Sequence, residues 1–170
     1  ADRPKQFLKL TDDQKTMLQS TVNRIEPLVP PQQIFIATNA RYQKPIQEQL
    51  QQIPRENIIV EPRQRDTAPC IGLSSLYIKE KYPGSEMIVL PADHLIKREE
   101  RFLEILEKAV MVASLEENIV TLGIKPTHPE TGYGYIHFDQ LYHNIDEDPV
   151  FAVKNFKEKP DPETARRYLE

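Results

Sequence analysis

The sequence predicts an α/β protein in which helices cover both faces of a mostly parallel β-sheet. Two observations lead to this fold class: short β-rich runs alternate with helical patterns up to residue 124, and those runs are apolar almost throughout. Parallel neighbours need crossover connections, and continuously apolar strands indicate burial on both faces. We therefore expect a three-layer arrangement.

The first predicted helix covers residues 13–28. Leu18, Val22 and Ile25 recur there at helical spacing, and the prolines at 30 and 31 end the pattern. This spacing is typical of an amphipathic helix with one buried face.

The same alternation continues through the middle of the chain. It predicts strands over 33–38, 57–61, 87–91 and 118–124, with helices over 42–53, 67–81 and 99–116 between them. The last of these helices carries one apolar stripe, formed by Phe102, Leu106, Ala109, Val110 and Ala113.

The pattern changes after residue 124. Strands predicted over 132–138 and 151–156 have no strong helix between them, and the acidic residues 146–148 are typical of a turn. We expect these strands to add a mixed or antiparallel part to the sheet.

Length and composition limit the class of protein. With 170 residues, 39% of them hydrophobic, the chain can fill one core, so residues 1–170 are expected to form one domain or most of one. The net charge of −4 argues against a nucleic-acid partner. There is no apolar run of the ~20 residues that cross a bilayer, no signal-peptide pattern at the N-terminus and only one cysteine, Cys70. We expect a cytoplasmic protein without a membrane partner.

Ligands of open α/β sheets bind beyond the carboxyl ends of the strands, where helix N-termini present free N–H groups. The polar loop 61–69 stands in such a place, and its two arginines suit a phosphate or a nucleotide. Its residues alone also allow a simple helix cap at Asp66 or Thr67 with solvated arginines.

A carboxylate follows the predicted strand 87–91. Asp93 stands where a hard cation such as Mg²⁺ would link it to phosphate oxygens, although an Asp-His pair also occurs in ordinary turns. The four histidines show no metal-site spacing with one another or with Cys70, which argues against zinc. Patterns for a serine nucleophile, a P-loop and a dinucleotide-binding loop are missing from the sequence.

Three further segments are ambiguous when each is taken alone. Residues 131–135 combine two glycines with two tyrosines, which allows either close backbone approach to a ligand or a tight hairpin. Residues 157–160 alternate charges, as solvated surface also does. Lys5 stands beside an apolar anchor near the N-terminus.

Taken together and in order, six segments resemble the mannose-1-phosphate guanylyltransferases, or GDP-mannose pyrophosphorylases, across nearly the whole chain. The segments read RPKQFLKL, VPPQQIFIATN, ENIIVEPRQRDTAPCIGL, MIVLPADHLI, TLGIKPTHPETGYGYI and FKEKPD. This family makes GDP-mannose and pyrophosphate from GTP and mannose 1-phosphate with Mg²⁺. Its fold is the Rossmann-like nucleotide-diphospho-sugar transferase fold with a mixed sheet.

The resemblance implies roles for the nucleotide side of the reaction. Asp93 would hold Mg²⁺ against the nucleotide phosphates, and Lys5 would contact phosphate in the transition state. The nucleotide pocket would be lined by Arg65, Asp66, Thr67, Ala68 and Pro69. An acidic protein needs such local cations and a metal to bring two repelling phosphate groups together.

The resemblance also implies a sugar-phosphate site. Gly134 would meet the sugar through its backbone, Glu158 would accept its hydroxyls, and Lys159 would bind its phosphate. Residues 1–124 would then be the nucleotide-binding part of the domain, and residues 125–170 the start of the sugar-phosphate-binding part.

Two features depart from the family pattern. The family usually has asparagine where this chain has Asp66, and a carboxylate cannot donate a hydrogen bond as an amide does. The glycine-rich phosphate loop expected before Lys5 is absent, as are sugar- and metal-binding residues expected beyond Glu170. We therefore expect this chain to lack both ends of the domain and to be inactive or impaired by itself.

Two alternatives stay open at this point. One is a pyrophosphorylase for another pair of sugar and nucleotide, and the other is a non-catalytic relative that serves as a regulatory or assembly subunit. A homo-oligomer is compatible with each of these functions.

Overall fold

A computed structural model describes residues 4–9, 14–115 and 118–169. The chain divides into two compact units, residues 1–118 and residues 119–170. The described helices and strands of the first unit are α1 Met17–Ile25, β1 Ile36–Asn39, α2 Ala40–Gln49, β2 Ile58–Glu61, α3 Thr67–Lys81 and α4 Glu99–Leu115. Those of the second unit are β3 Gly134–Ile145, β4 Asp148–Glu158 and α5 Pro162–Arg167. The α/β fold class is confirmed. Within the described ranges, none of the helices has the length and apolar character needed to span a bilayer.

β1 and β2 form the predicted parallel pair, with α2 as their crossover. The register runs from Ile36 opposite Ile58 to Asn39 opposite Glu61. The carboxyl ends of both strands therefore lie at one edge of the sheet, which is where such sheets bind ligands. Glu61 leads from that edge into the loop before α3.

Two other predicted strands, 87–91 and 118–124, do not form in the part of the chain that the structure describes. In the first of these segments, Ile88 and Leu90 pack against the core while Val89 between them is 50% exposed. Its side chains therefore alternate between buried and exposed positions as in a strand, but no described strand pairs with it. A strand needs hydrogen bonds to a neighbouring strand, and an apolar run does not supply that neighbour. The described strands form two separate two-stranded sheets.

The core of the first unit lies around α1, α2 and the start of β2. The predicted stripe of α1 is confirmed, because Leu18, Val22 and Ile25 are all buried. The helix begins at Met17, after Thr16 caps it, and the predicted start at Asp13 lies outside the described residues. The buried members of the cluster are Phe7, Leu18, Val22, Ile25, Ile34, Ile46, Leu50, Ile53, Ile58 and Leu106.

The other helices of the first unit begin within two residues of their predicted starts. α3 has the predicted bounds, and α2 begins two residues earlier than predicted because the Asn39 side chain accepts a hydrogen bond from the N–H of Arg41. In α4, Leu106 is buried on the predicted stripe, and Val112 is buried although it was not assigned to it. The predicted end of α4 at residue 116 lies outside the described residues.

The side chain of Asn57 links the start of β2 to neighbouring segments through hydrogen bonds. Its side chain has no exposed surface. The amide nitrogen donates to the carbonyls of Gln32 (2.8 Å) and Ile34 (3.0 Å), and the amide oxygen accepts from Lys81 Nζ (2.9 Å). This one amide therefore connects the entry to β1, the start of β2 and the end of α3.

Replacing Asn57 with alanine is expected to lower the free energy of unfolding by about 3 kcal/mol, because it takes the amide donor from the buried Ile34 carbonyl and the amide acceptor from Lys81 Nζ. Urea unfolding followed by circular dichroism measures this loss. The control is Asn144→Ala, at an exposed position on β3, for which we expect a change within about 0.5 kcal/mol. Equal losses in the two variants would contradict the role given to Asn57.

The second unit is a long antiparallel hairpin followed by a short helix. β3 and β4 pair from Gly134 opposite Glu158 to Ile145 opposite Asp148, with register shifts between them. The predicted acidic turn is confirmed, and Asp146 takes a left-handed backbone conformation there (φ 55°). Both predicted strands are confirmed with other bounds, because β3 begins two residues later than predicted and ends at Ile145, and β4 extends beyond its predicted run at both ends. The functional division into residues 1–124 and 125–170 stays a prediction.

Candidate active site

The loop that follows β2 leads into the N-terminus of α3, as the sequence predicts. Residues 65–69 are all exposed. Asp66 stands at the cap position of α3, but its side chain accepts no hydrogen bond from the helix. The alternative of a plain Asp66 cap is therefore wrong, and the first N–H groups of α3 are not taken up by that carboxylate.

The backbone of Asp66 is strained. Its φ of 64° combined with a ψ of −167° lies in a region that is almost exclusive to glycine. Residues with such rare backbone conformations occur often at ligand sites, where the surrounding structure holds them in place. Aspartate and asparagine tolerate positive φ better than other residues with a side chain do, so the exchange of one for the other keeps the backbone and changes the chemistry of the side chain.

A cleft of about 400 Å³ opens beside this loop, a volume within the roughly 300–1,000 Å³ of small-molecule sites. Its lining residues are Glu61, Pro62, Arg63, Arg65, Pro69 and Leu73. Arg65 and Pro69 were predicted, whereas Asp66, Thr67 and Ala68 do not line the cleft. Sequence reasoning did not single out Glu61, although its place at the carboxyl end of a parallel strand is a signal that could have found it.

The charged side chains of the cleft are not neutralised by ion pairs. Within the described ranges, neither Arg63 nor Arg65 approaches a carboxylate within 4.0 Å, and Glu61 approaches no cation within that distance. The cleft therefore offers two guanidinium groups and one carboxylate to a ligand. Guanidinium groups are well suited to phosphate oxygens because they can donate two parallel hydrogen bonds.

Cys70 lies next to the cleft, beside Glu61. Burial, and after it the negative charge and hydrogen-bonding contact of the Glu61 carboxylate, raise the pKa of the Cys70 thiol above its ordinary value. The thiol is therefore protonated at neutral pH and is a poor nucleophile. This geometry gives no support to covalent catalysis by Cys70.

Asp93 lies in a turn after the segment 87–91, and its side chain is exposed. In the part of the chain that the structure describes, its carboxylate takes part in no ion pair and accepts no hydrogen bond, so the alternative of an ordinary Asx turn is not found. No cluster of three or more histidine, cysteine, aspartate or glutamate residues that could hold a metal occurs among the same residues. Asp93 is thus an isolated carboxylate among the described residues, and it is free to contact a ligand.

Lys5 belongs to a short 3-10 helix, Lys5–Phe7. The predicted apolar anchor beside it is Phe7, which is 5% exposed and packs against Tyr42 with a distance of 5.4 Å between the ring centroids. Lys5 itself is exposed and forms no ion pair with any described residue. Neither Lys5 nor Asp93 is among the residues that line the cleft.

In the second unit, pairing of the two strands brings the three predicted sugar-phosphate residues together. Gly134 stands opposite Glu158, and the N–H of Lys159 donates to the carbonyl of Tyr133 (3.2 Å). Lys159 Nζ lies 3.5 Å from Glu158 Oε1, and both side chains are largely exposed. Lys159 also has a left-handed backbone (φ 42°), which marks a second constrained position.

The glycines of the segment 131–135 serve different purposes. The turn of the hairpin lies at residues 146–147, so the glycines do not form the tight turn that the sequence allowed. Gly132 donates its N–H to the Glu130 carboxylate (2.8 Å), which is the main reason that the pKa of Glu130 lies below its ordinary value. Gly134 leaves room for an aromatic ring, because a Cβ there would overlap the side chain of Phe156.

The parts of the first unit define a class of protein. A parallel β-pair, a basic loop and cleft at its carboxyl edge, and an available carboxylate after the next apolar segment suit the handling of nucleotide phosphates. The sequence model of the nucleotidyl transferase family matches residues 1–170, and the chain belongs to this family.

The chain is also similar to individual proteins of known name. The chain is 42% identical over 171 residues to a mannose-1-phosphate guanylyltransferase of Escherichia coli, covering 98% of this chain and 36% of that relative. It is 39% identical over 168 residues to a mannose-1-phosphate guanylyltransferase of Klebsiella pneumoniae, covering 98% of this chain and 35% of the relative. The chain thus spans little more than a third of the length of these curated relatives.

A solved structure supports the fold. The crystal structure of a mannose-1-phosphate geranyltransferase from Thermus thermophilus is similar to this structure with a TM-score of 0.84 and 34% sequence identity. The similarity covers 98% of this chain and 47% of that chain.

Proposed function

We propose that the protein is a mannose-1-phosphate guanylyltransferase, which makes GDP-mannose and pyrophosphate from GTP and mannose 1-phosphate. The observation that carries this proposal is the cleft at the end of β2, with two arginines that have no ion-pair partner among the described residues. It occurs in a chain whose relatives in Escherichia coli and Klebsiella pneumoniae carry that name.

The chemistry needs no protein nucleophile. A phosphate oxygen of mannose 1-phosphate attacks the α-phosphorus of GTP, a new P–O bond forms, and the bond between the α-phosphorus and the bridging oxygen breaks to release pyrophosphate. The work of the protein is to bring two polyanions together and to stabilise the charge that develops on the leaving group. In this proposal Arg65 and Lys5 bind nucleotide phosphates, and Lys159 binds the sugar phosphate.

The donor set at Asp93 fits Mg²⁺. This ion is commonly held by one or two carboxylates together with substrate phosphates and waters, and dedicated protein cages are not its usual sites. A single exposed carboxylate without a protein partner meets that description. When bound, Mg²⁺ would neutralise charge on the nucleotide phosphates. We propose Asp93 as its ligand.

A substrate panel tests the proposed function. The full-length protein would be incubated with GTP, ATP, UTP or CTP, each with mannose 1-phosphate or glucose 1-phosphate, and pyrophosphate release would be measured. We expect the highest rate with GTP and mannose 1-phosphate. A preference for another pair would instead make it a different pyrophosphorylase.

A non-catalytic relative is the second candidate, and one observation favours it. Asp66 places a negative charge in the predicted nucleotide loop, on a backbone that is strained at that residue. Calorimetric titration of GTP and Mg²⁺ into the full-length protein separates the two candidates, because an enzyme binds both and a subunit that has lost the site binds neither.

A further inference from the structure

We propose that Glu130 is a positioning residue for the sugar phosphate, because its carboxylate holds the backbone that leads into β3 in one conformation. The inference rests on the proposed function, since it concerns the site predicted to bind mannose 1-phosphate. That site consists of Gly134, Glu158 and Lys159, and the segment 130–134 enters it from the N-terminal side of β3.

The paired part of the hairpin begins at Gly134, so the residues before it are held by other contacts. The carbonyl of Tyr133 accepts a hydrogen bond from the N–H of Lys159 (3.2 Å). One residue earlier, the N–H of Gly132 donates to a side chain, and its acceptor is Glu130 Oε1 at 2.8 Å. The Glu130 carboxylate therefore fixes the backbone on the far side of Tyr133, where strand pairing does not reach.

The Glu130 carboxylate is itself held in place. Its second oxygen, Oε2, lies 3.5 Å from His128 Nε2, and the backbone N–H of Glu130 donates to the carbonyl of His128 (2.9 Å). The N–H of Gly132, and after it the His128 ring and the N–H of Thr131, lower the pKa of Glu130, so the group is ionised at neutral pH. Hydrogen bonds to an ionised acceptor are stronger than those to a neutral one.

Two glycines allow the backbone to follow this path. At Gly132 a Cβ would lie 3.2 Å from Glu130 Oε1, so the absence of a side chain leaves room for the carboxylate. At Gly134 a Cβ would overlap the ring of Phe156, so the backbone there packs against that ring. Because a shift of about 1 Å at a binding group can cost about a hundredfold in rate, a contact that fixes this backbone affects how the sugar phosphate binds.

The variants Glu130→Ala and Glu130→Gln of the full-length protein test this role. Alanine removes the acceptor, whereas the side-chain carbonyl of glutamine still accepts from the N–H of Gly132 without a charge. We expect Glu130→Ala to raise the KM for mannose 1-phosphate about 3- to 10-fold, the range for one hydrogen bond. Its kcat and its KM for GTP should change by less than about twofold, because only binding of the sugar phosphate is weakened. Glu130→Gln should bring the KM for mannose 1-phosphate back to within about twofold of the unaltered value.

Amide hydrogen exchange gives a second readout that does not depend on activity. Exchange in the segment 130–134, followed by mass spectrometry, should be faster in Glu130→Ala than in Glu130→Gln, because only alanine leaves the N–H of Gly132 without its acceptor. Glu147→Ala, in the turn at the other end of the hairpin, is the control. It should match the unaltered protein in both measurements.

The outcomes separate this inference from the proposed function. An unchanged KM for mannose 1-phosphate in Glu130→Ala, or unchanged exchange, would overturn the positioning role and leave the proposed function standing. Equal losses with alanine and glutamine would also overturn it, since they would show that the charge itself contacts the ligand. If the full-length protein uses a different sugar phosphate, the proposed function fails and the same variants test Glu130 with that substrate. A protein that turns over no sugar phosphate would overturn both.

Discussion

Replacing Asp93 with asparagine in the full-length protein is expected to lower the rate of Mg²⁺-dependent pyrophosphate release about a thousandfold, since several kcal/mol of charge stabilisation are lost at 1.36 kcal/mol per tenfold. Asparagine has nearly the same size as aspartate but no negative charge. Because the side chain is exposed and forms no ion pair with any described residue, stability should change by less than about 0.5 kcal/mol.

Three measurements make the Asp93→Asn result specific. The rate is followed as a function of Mg²⁺ concentration, where the variant should require far more metal. Urea unfolding checks that the fold is intact. Glu107→Gln, which removes an exposed carboxylate on α4, is the matched control and should keep the full rate. An Asp93→Asn variant with normal rate and normal Mg²⁺ dependence would remove Asp93 from the site.

Replacing Lys159 with alanine is expected to raise the KM for mannose 1-phosphate about 10- to 100-fold, the range for one charge-assisted hydrogen bond to phosphate. The KM for GTP should change little, because the predicted role concerns the sugar phosphate alone. In the free protein, Lys159 Nζ faces Glu158 at 3.5 Å in an exposed pair, which contributes little stability and can open to admit a ligand.

The control for this experiment lies two residues earlier on the same hairpin. Lys157 is exposed like Lys159, so Lys157→Ala tests whether loss of any positive charge there weakens binding. We expect its KM values to match those of the unaltered protein. If Lys159→Ala leaves the KM for mannose 1-phosphate unaltered, or if both variants raise it equally, a specific phosphate contact at Lys159 is refuted.

Local signals predicted several elements of this fold correctly. The buried face of α1, the bounds of α3 and the turn at residues 146–147 each depend on residues close together in the chain. Such features follow from side-chain spacing and from backbone preferences.

Strand pairing could not be predicted in the same way. The segment 87–91 has the continuous apolar run of a buried strand, and Ile88 and Leu90 pack on the core, yet no described strand lies beside it. Pairing depends on a neighbour that is distant in sequence, and the apolar run carries no information about that neighbour.

The candidate site was likewise predicted from the sequence only in part. The sequence predicted the polar loop before α3, and the structure places Arg65 and Pro69 of that loop in a cleft. The sequence did not show that Glu61 also lines this cleft or that the Asp66 side chain does not cap α3, since both facts depend on the path of the backbone.

The fate of labelled phosphate tests the central claim most directly. The full-length protein would be given mannose 1-phosphate, Mg²⁺ and GTP labelled either at the α-phosphate or at the γ-phosphate, and the products would be separated. Attack at the α-phosphorus predicts the α label in GDP-mannose and the γ label in pyrophosphate, with the two products formed in equal amounts. A γ label in inorganic phosphate or in a sugar product, or no α label joined to mannose 1-phosphate, would contradict the proposed guanylyl transfer.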